Sequence, residues 1–553
     1  MKERQKKLSY AAIESSLFFG SALLSAVLFL IFCSLFYIRT GLLGAGAFDL
    51  SLYIYLISLI LSQAVLPTCT ARLVSTRMER KHPADAVRLT RTLSLYATAA
   101  GAGLGVFFWM LGGKLSELSG NSFGTFSLRT IGITLWLMGY LGVMRGYYLG
   151  RGNSMLVALS AVMEPLVSVA VSLIIVPLFI SHGQKAALLY GESAYTAAYA
   201  AQGAFLSLAA GTLITLIGLK LMTALSGGGM QEANEGRRME GLDSVHRSIE
   251  RLLLPVGAAA VIVLLGPLLD FPVFGIRASS LYTRIEAVRI PGAFSAAMLC
   301  WFIPVLSVSG LIVGLFPALR YASALRDRKM IAGQIFISTK FTIIFSIFCC
   351  LLMIALRVPL ANLLFSGEDS GLFQRLLLYG ASFPVFASMA LQKCAVLCGL
   401  GYFTDPLKNA IWAFLAHLVV LVILLFAVRL EMTGVLIANV AAAFVFWALN
   451  TGNLMLRFRL RPQLWRNYII PCICAVPAWA GASLPGFLLG ILLPEEIGNG
   501  RVVSLLVLMV GCVLGFFIYF TALFLTGTVR RGELYEMPLG TALTHLFRRG
   551  GII

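Results

Sequence analysis

Long, unbroken apolar runs make up most of this chain, and they limit its possible folds more than any other feature. Segments 11–38, 155–181 and 502–527 carry almost no charge and show no alternation of polar with apolar residues. A helix of about 20 apolar residues crosses a hydrocarbon core of roughly 30 Å, whereas barrel strands alternate between lipid and lumen. Because only helices and closed barrels satisfy their backbone in lipid, the runs predict an all-α polytopic membrane protein.

The length rule predicts about fourteen transmembrane helices in the 553 residues. Their approximate ranges are 11–38, 48–70, 92–112, 127–148, 155–181, 196–221, 252–274, 292–319, 335–358, 375–400, 409–428, 434–456, 468–493 and 502–527. The composition agrees, because a chain that is 59% hydrophobic and 12% charged has too little polar surface for a water-soluble fold of this size.

The basic residues indicate orientation. A net charge of +19 is also typical of nucleic-acid-binding proteins, but here the basic residues form short clusters between apolar runs instead of one stripe. Placing the amino terminus in the cytoplasm puts most of the 43 lysines and arginines on the inner side, as the positive-inside rule requires. We therefore expect a multi-pass protein of a bacterial cytoplasmic (inner) membrane, with both termini cytoplasmic and no nucleic-acid partner.

One long polar break divides the chain. Residues 226–251 begin with a glycine-rich stretch and continue with a charged one, as in a cytoplasmic linker or an amphipathic surface helix. The predicted organisation is a six-helix lobe at 1–225, this linker, and a second six-helix lobe at 252–457. Helices 13 and 14 follow at 458–553, together with a cytoplasmic tail.

Proline and glycine positions of the first lobe recur in the second lobe at a separation of about 250 residues. Pro67 corresponds to Pro317, each near the end of an even-numbered helix and before a basic loop. The glycine pair at 150 and 152 likewise corresponds to the pair at 399 and 401. Because each lobe has six helices, both begin on the same side of the membrane. The pattern predicts a parallel pseudo-twofold repeat whose lobes rock to give alternating access.

Four segments resemble the MOP (MATE-like) exporter superfamily, in the branch of the stage V sporulation protein B family and the MurJ lipid II flippases. They are GLLGAGAFD at 41–49, GYYLGRGNSMLVALSAVMEPLVSV at 146–169, WFIPVLSVSGLIVGLFPALR at 301–320 and RRGELYEMPLGTALTHLF at 530–547. The resemblance implies a secondary transporter that is not an enzyme. Its implied substrate is an undecaprenyl-pyrophosphate-linked saccharide, lipid II or a related cell-envelope precursor, flipped through a cavity between the lobes.

Glu164 is the foremost candidate for a functional charge within the bilayer. It lies about ten residues into helix 5 and precedes Pro165, which removes a backbone donor. A charge at the bilayer centre costs about 2.5–3.5 kcal/mol on insertion scales, so retained charges usually face a cavity or a partner. Two interpretations stay open: a cavity or proton-coupling role, and a structural partnership with a nearby cation or hydroxyl.

Five further residues are candidates for substrate binding. Arg39 and Asp49 flank the first turn, either as an exposed interfacial pair or as a pyrophosphate-binding arginine oriented by its carboxylate. Arg284 and Arg289 lie in a predicted outer loop, where the positive-inside rule disfavours basic residues. They either bind an anionic headgroup or form a solvated surface cluster. Lys393, in the inner half of helix 10, is either a cavity cation or a side chain that snorkels to the interface.

A coupling ion is implied by the resemblance. Asp270 matches an aspartate in helix 7 of the family, and Asp405 or Asn409 on helix 11 would complete a cation site. His417, in the same apolar helix 11, is more typical of a satisfied core histidine than of a ligand or proton relay. We expect coupling to Na⁺, H⁺ or the membrane potential, with no cofactor and no metal centre.

Several functions compete with the flippase. A MATE-like drug/cation antiporter would have an acidic cavity, whereas a flippase would have a basic one, and we expect a modest basic excess. A membrane glycosyltransferase or polymerase would need a substantial outer loop, and the outer loops here are short. A non-transporting scaffold also stays open, because Ala297 and Met298 align where the MurJ flippases carry an arginine in helix 8. For either transporter we expect a monomer whose partners are the lipid-linked sugar and membrane lipids.

Overall fold

The computed structural model describes residues 2–225, 240–278, 281–365, 370–459, 463–494, 498 and 500–549. These residues form helices and connecting turns, with no strand among them. Twelve helices are long and apolar enough to cross a membrane, or thirteen if one bent pair counts as a single span. The first of them contains two helices joined at Gly41. The prediction of an all-α polytopic protein with about fourteen helices is confirmed.

The helices follow one another through short turns. The first set is α1 (Lys2–Ile60), a π-helical turn (Leu61–Val65), α2 (Leu66–Glu79), α3 (Pro83–Leu118), α4 (Thr125–Gly150), α5 (Ser154–Tyr190) and α6 (Ala194–Leu225). The second set is α7 (Leu242–Ala278), α8 (Glu286–Ala324), α9 (Arg328–Ala355), α10 (Arg357–Leu364), α11 (Ser370–Tyr379), α12 (Phe383–Gly399), α13 (Thr404–Val422) and α14 (Glu431–Phe458). The last set is a π-helical turn (Trp465–Ile469), α15 (Ile470–Leu492), α16 (Arg501–Leu525), α17 (Arg531–Glu536) and α18 (Gly540–Arg549).

One end of the bundle carries most of the basic turns, and we call it the basic face. It holds the α2–α3 turn with Arg80 and Lys81, the α4–α5 turn with Arg151 and the α8–α9 turn with Arg326. The end that carries the α3–α4, α5–α6 and α7–α8 connections is called the opposite face. This separation of charge is the one that the positive-inside rule describes.

Gly41 separates the first two transmembrane helices within α1. Its φ of +63° and ψ of −159° lie in a region of backbone space that is essentially restricted to glycine. The sequence predicted a nine-residue interval between helices at 38 and 48. This interval is wrong, because a single glycine turns the chain and the helix resumes at once at Leu42.

The tenth predicted helix, 375–400, is broken into α11 and α12, which differ in direction by 48°. At the break, a Cβ on Gly380 would lie 2.0 Å from the indole of Trp301 on α8. Only glycine permits this approach, and Pro384 follows within the first turn of α12, where its missing N–H costs nothing. The break therefore has two identifiable causes in the sequence.

The glycine pairs that suggested a repeat adopt the same turn. Gly150 and Gly399 are the last residues of α4 and α12, respectively. Two residues later, Gly152 has φ +85° and Gly401 has φ +97°, a left-handed conformation that costs glycine little. Helix pairs α4–α5 and α12–α13 are thus joined by equivalent turns.

Helices α1 and α8 join the first and second sets over much of their length. A Cβ on Gly292 would lie 2.5 Å from the carbonyl oxygen of Leu42, near the opposite face. Nearer the basic face, a Cβ on Gly310 would lie 2.3 Å from the carbonyl oxygen of Phe18. Small residues at such contacts allow the backbones of membrane helices to approach closely.

The two chain segments outside the bundles dock on the basic face. Of the predicted linker 226–251, residues 226–239 lie outside the described part; Glu240 forms an ion pair with Arg77 at 2.8 Å, and α7 begins at Leu242. In the tail, Glu533 forms ion pairs with Lys340 at 2.5 Å and with Arg466 at 3.1 Å. Both contacts fasten polar segments to the helix ends.

Candidate functional site

A cavity of about 150 Å³ lies between the first and second sets of helices, and we call it the central cavity. Its walls come from the second half of α1, the following π-helical turn, the start of α2, and helices α7, α8, α12, α13 and α14. Aromatic side chains are prominent in the lining: Tyr53, Phe302, Phe383, Phe414 and Phe446. The cavity is therefore apolar over most of its surface and is shared by both sets of helices.

Lysine, arginine, aspartate and glutamate are absent from this lining among the described residues. The expected modest basic excess is therefore wrong for the central cavity in this conformation. The reason is periodicity: the faces of α8 and α12 that meet the cavity carry alanine, valine, cysteine and phenylalanine, and their basic residues lie elsewhere on the helices. None of the six predicted substrate-binding residues lines it: Arg39, Asp49, Glu164, Arg284, Arg289 and Lys393.

A buried polar cluster lies at one wall of the cavity, and we call it the Asp270 cluster. Nε2 of His417 on α13 lies 3.0 Å from Oδ1 of Asp270 on α7. The side-chain amide of Asn439 on α14 donates to Oδ2 of the same carboxylate at 2.5 Å. Asp270 and His417 are fully buried, while His417 and Asn439 also line the cavity.

Two neighbours shape this cluster. Gly266 lies one helical turn before Asp270, and a Cβ there would come within 3.0 Å of the His417 ring, so glycine leaves room for the imidazole against α7. The hydroxyl of Tyr53 on α1 lines the same cavity and makes no hydrogen bond within the described chain. A buried carboxylate beside an imidazole can share one proton, which is the arrangement a proton-coupled site requires.

The implied cation site on helices 7 and 11 is therefore corrected. Asp405 is not near Asp270 but forms an ion pair with Arg457 at 2.6 Å, at the basic-face end of α13. Asn409 donates to Asn450 at 3.0 Å. Both lie within two turns of the start of α13, whereas His417 lies deeper along the helix, at the level of Asp270. The structure thus supplies different partners for Asp270 than the resemblance did.

Arg72 lies next to the central cavity at the basic face. Its guanidinium, on α2, donates to the carbonyl oxygen of Cys398 at 3.2 Å. It also stands over the rings of Phe403 at 4.9 Å and Phe316 at 6.0 Å, both of which line the cavity. A cation held against aromatic faces and a carbonyl links α2 to the second set of helices.

Arg320 on α8 makes a second link of this kind. It donates to the hydroxyl of Thr76 at 3.0 Å and to that of Ser75, and lies 3.3 Å from the carboxylate of Glu79. All three partners belong to α2. Two arginines, one from each set of helices, therefore bridge the sets at the edge of the cavity.

The sets also meet at the opposite face, where Arg284 forms an ion pair with Glu192 of the α5–α6 turn at 2.7 Å. Its guanidinium also stands 5.1 Å from the ring centre of Phe123. Arg289 lies in the first turn of α8, half-buried, away from the central cavity. The two sets of helices therefore contact each other at both faces in this conformation.

Glu164 belongs to a buried ion pair inside the first set of helices. Arg145 on α4 lies 2.8 Å from its Oε2, and the hydroxyl of Thr212 on α6 donates to Oε1 at 2.9 Å. Both charged side chains are fully buried. Of the two open interpretations, the partnership with a cation and a hydroxyl is the one observed. In the sequence, nothing distinguishes Arg145 from the other basic residues near helix ends.

Arg39 and Asp49 do not pair with each other. Arg39 is exposed near the kink, whereas Asp49 is buried and accepts hydrogen bonds from the amide of Asn121 at 3.3 Å and from the backbone N–H of Leu50. The idea of an arginine oriented by this carboxylate is wrong, because the helix resumes at Leu42 and turns Asp49 inward. Lys393 is buried and donates to the hydroxyl of Thr339, in a separate smaller cavity, so it does not snorkel.

Comparison with known proteins places the fold. No protein-family model matches the chain. It is 24% identical over 523 residues, 91% of either chain, to the uncharacterized membrane protein YabM of Bacillus subtilis (strain 168). Among solved structures, an inward-facing MATE-family multidrug resistance transporter of the MOP superfamily has a TM-score of 0.57 at 14% identity, with 78% of this chain and 94% of that one covered. The chain has the MATE transporter fold.

Two further structures agree on this fold. A MOP superfamily transporter from Pyrococcus furiosus, whose binding pocket is described as having reverse polarity, gives a TM-score of 0.58 at 15% identity. The Vibrio cholerae MATE transporter VcmN in its bent form gives 0.54 at 17%. Each match covers 82% of this chain and at least 96% of the other. The similarity is to MATE structures, and it leaves the flippase branch a proposal.

The sequence contained a signal for some of the missed residues. Asn439 interrupts the apolar run of the twelfth predicted helix, 434–456, and polar groups at such depth usually face a cavity or a partner. Arg72 and Arg320 lie near helix ends, where the positive-inside pattern accounts for basic residues without any specific partner. Their contacts join residues 326 and 244 positions apart in the chain, and no local pattern reports such a contact.

Proposed function

We propose that the chain is a secondary transporter that works by alternating access of the central cavity, and that its substrate is a membrane lipid with a phosphorylated head. One observation carries the proposal: an apolar cavity shared by both sets of helices is bordered at the basic face by Arg72 and Arg320. A lipid whose head is anionic and whose body is apolar matches both features. An undecaprenyl-pyrophosphate-linked saccharide, lipid II or a related precursor, is such a substrate.

The two arginines would act as a headgroup receptor and as a latch. A guanidinium presents a planar fork that fits phosphate oxygens in bidentate fashion. In this conformation the same donors engage Cys398, Thr76 and Glu79. A pyrophosphate would compete for those donors and so favour separation of the helix sets at the basic face. Ligand binding shifts a conformational equilibrium only through such differential contacts.

In this conformation the central cavity is too small for the whole substrate. Its volume of about 150 Å³ is below the roughly 300–1,000 Å³ of sites for drug-sized ligands. The substrate would therefore enter only after the sets move apart, with its polyprenyl chain remaining in the bilayer. We further propose that the basic face is cytoplasmic, as the distribution of lysine and arginine favours, and that the chain acts as a monomer in the cytoplasmic membrane of a bacterium.

The Asp270 cluster would couple transport to protons. Asp270 and His417 together have a net charge of −1, 0 or +1 when they hold no, one or two titratable protons, and His417 lies at the cavity wall. Protonation would change the charge next to the substrate without a metal or cofactor. Because the cluster joins α7, α13 and α14, a change in its hydrogen bonds acts on three cavity helices at once.

The decisive experiment is complementation of a bacterial strain depleted of its lipid II flippase. The wild-type chain should restore growth, Arg72→Ala and Asp270→Asn should not, and Arg91→Ala should restore it fully. Arg91 is the matched control, because it is an exposed arginine near the same face. Protein levels in the membrane must be equal for all four. Growth supported equally by Arg72→Ala and the wild type would refute the headgroup receptor.

A second candidate is a MATE-like drug/cation antiporter, and a specific observation favours it. The aromatic lining and the nearby buried carboxylate of Asp270 fit a lipophilic cation, whose charge is attracted to ring faces. Proteoliposomes distinguish the two. Proton-driven ethidium uptake with no flipping of a fluorescent polyprenyl-pyrophosphate disaccharide would favour the antiporter, and the reverse result the flippase.

A further inference from the structure

A second, smaller cavity lies apart from the central one, and we call it the Lys393 cavity. It has a volume of about 90 Å³ and lies between α9, α12, α14 and the π-helical turn before α15. Its polar lining includes Lys393, Thr339, Thr451 and Asn467. It shares no lining residue with the central cavity, so any ligand here would be separate from the transported substrate.

Lys393 is a buried cation without a buried anion. Lys393 is only 5% exposed, and its ammonium donates to the hydroxyl of Thr339. Among the described residues, no aspartate or glutamate lines the cavity or forms an ion pair with Lys393. Buried charges are normally paired, because the loss of hydration is otherwise uncompensated. The cavity therefore has the electrostatic character of a site whose anion comes from elsewhere.

Two further groups in the cavity wall have unused hydrogen-bonding capacity. Oγ1 of Thr451 and Oδ1 of Asn467 are buried and make no hydrogen bond within the described chain. A threonine hydroxyl can donate one hydrogen bond and an asparagine amide two, once the amide turns its nitrogen toward the ligand. Together with the ammonium of Lys393, they supply donors from three helical elements around one space.

Asn467 is positioned by a local irregularity. Residues Trp465–Ile469 form a π-helical turn, and the N–H of Asn467 bonds the carbonyl of Gln463 at 2.9 Å. Such turns are rare and occur frequently at functional sites. In this turn, Asn467 and Tyr468 are the residues that line the cavity.

The depth and size of the cavity fit the phosphate of a lipid headgroup. Lys393 lies six residues before the basic-face end of α12 at Gly399, and Thr451 seven before the end of α14 at Phe458. At 1.5 Å per residue, both are about 10 Å from that face, near the boundary between headgroups and hydrocarbon. The volume of about 90 Å³ exceeds several-fold the roughly 10–15 Å³ that one water needs.

We propose that the Lys393 cavity binds a phosphate group through Lys393, Thr451 and Asn467. The phosphate belongs either to a phospholipid headgroup, entering beside α15 from the leaflet at the basic face, or to phosphate free in solution. The site lies outside the transport route of the central cavity. It holds the start of α15 against α9, α12 and α14, so its ligand stabilises the folded protein.

The test measures the thermal stability of the full chain in a maltoside detergent. One titration adds a phosphatidylglycerol with six-carbon chains, a second adds inorganic phosphate, and a third adds a diacylglycerol with the same chains as the uncharged control. A ligand of the native state raises the melting temperature with its concentration. We expect a saturable rise with one or both phosphate compounds and none with diacylglycerol. Phosphatidylglycerol alone indicates the lipid source, and inorganic phosphate indicates the soluble one.

Variants assign the effect to this cavity. Lys393→Met should weaken the apparent affinity at least about tenfold, as expected for the loss of one charge-assisted hydrogen bond. Lys408→Met should leave it unchanged, because Lys408 is an exposed lysine near the same face. If Lys393→Met does not fold, Asn467→Leu takes its place, with a loss of affinity expected. No rise with either phosphate compound, or an equal rise in the cavity variant and the wild type, overturns the proposal.

Discussion

The Arg145–Glu164 pair gives the sharpest prediction about stability. The guanidinium of Arg145 donates to Glu164 at 2.8 Å, to the carbonyl oxygen of Ser160 at 2.9 Å and to its hydroxyl at 3.0 Å. Glu164 accepts in addition from Thr212 at 2.9 Å. Replacing Glu164 with leucine therefore leaves a fully buried guanidinium without its counter-charge.

The magnitude follows from this burial. Breaking a buried ion pair by removing one partner costs about 3–5 kcal/mol, because the remaining charge stays desolvated. Glu164→Leu and Arg145→Met should each lower the free energy of unfolding by that amount. The double variant should lose less than either single one, since apolar replacements of a buried pair are often neutral. The hydroxyls left behind keep backbone acceptors: Ser160 bonds Val157 at 2.7 Å and Thr212 bonds Leu208 at 3.1 Å.

The assay is reversible unfolding by sodium dodecyl sulfate in mixed micelles, followed by tryptophan fluorescence. Glu192→Ala serves as the control, because its pair with Arg284 is exposed, with 38% and 59% of the side chains accessible. Exposed pairs contribute about 0–1 kcal/mol. The reasoning fails if the two residues prove not to be coupled. In that case the double variant would lower the free energy of unfolding by the sum of the two single decreases, within about 0.5 kcal/mol.

Two further predictions concern the cavity and the tail. Gly266→Ala adds a Cβ 3.0 Å from the His417 ring and should abolish proton-driven transport in proteoliposomes. Gly257→Ala on the same helix is the control, because its Cβ meets nothing within 4 Å and transport should be unchanged. Equal loss of transport in both variants would contradict the role of the Asp270 cluster. Burial alone would raise the pKa of Glu533. The hydrogen bond from Lys340 and the nearby positive charges outweigh this effect, so the pKa lies below its ordinary value of 4.5. Its contribution to tail docking is thus present above that pH and lost as the pH falls through the lowered pKa. Hydrogen exchange of the tail should therefore rise as the pH falls below 4.5 and through the lowered pKa of Glu533, and Glu533→Gln should remove this dependence.

Helix number and type could be predicted because the bilayer imposes them locally. Each apolar run of sufficient length must become a helix whatever its neighbours are. The boundaries were less predictable where a single residue decides the backbone. Gly41 confines a whole interhelical turn to one position, and Gly380 breaks a helix because Trp301 of another helix lies against it. The first cause is local, but the second depends on a residue about 80 positions away.

The candidate site was predicted in part. Asp270 was singled out by resemblance, and it does lie in a buried cluster, but with His417 and Asn439 as partners instead of Asp405 or Asn409. Glu164 was recognised as a charge that needs a partner, but that partner could not be named. A helix pattern gives the direction of a side chain about its own axis, and it does not give the rotation and depth of the neighbouring helix. Those two quantities decide which polar groups meet.

The sequence by itself determined that this chain crosses a membrane about fourteen times as helices, and that its glycine turns repeat at a spacing of about 250 residues. Only the tertiary structure decided that the space between the helix sets is apolar and that Arg72 and Arg320 link the two sets beside it, while Lys393 borders a separate cavity. The physical reason is the distance along the chain over which each effect acts. Burial of apolar runs in lipid acts on each segment alone, whereas a cavity exists only between segments that packing has brought together.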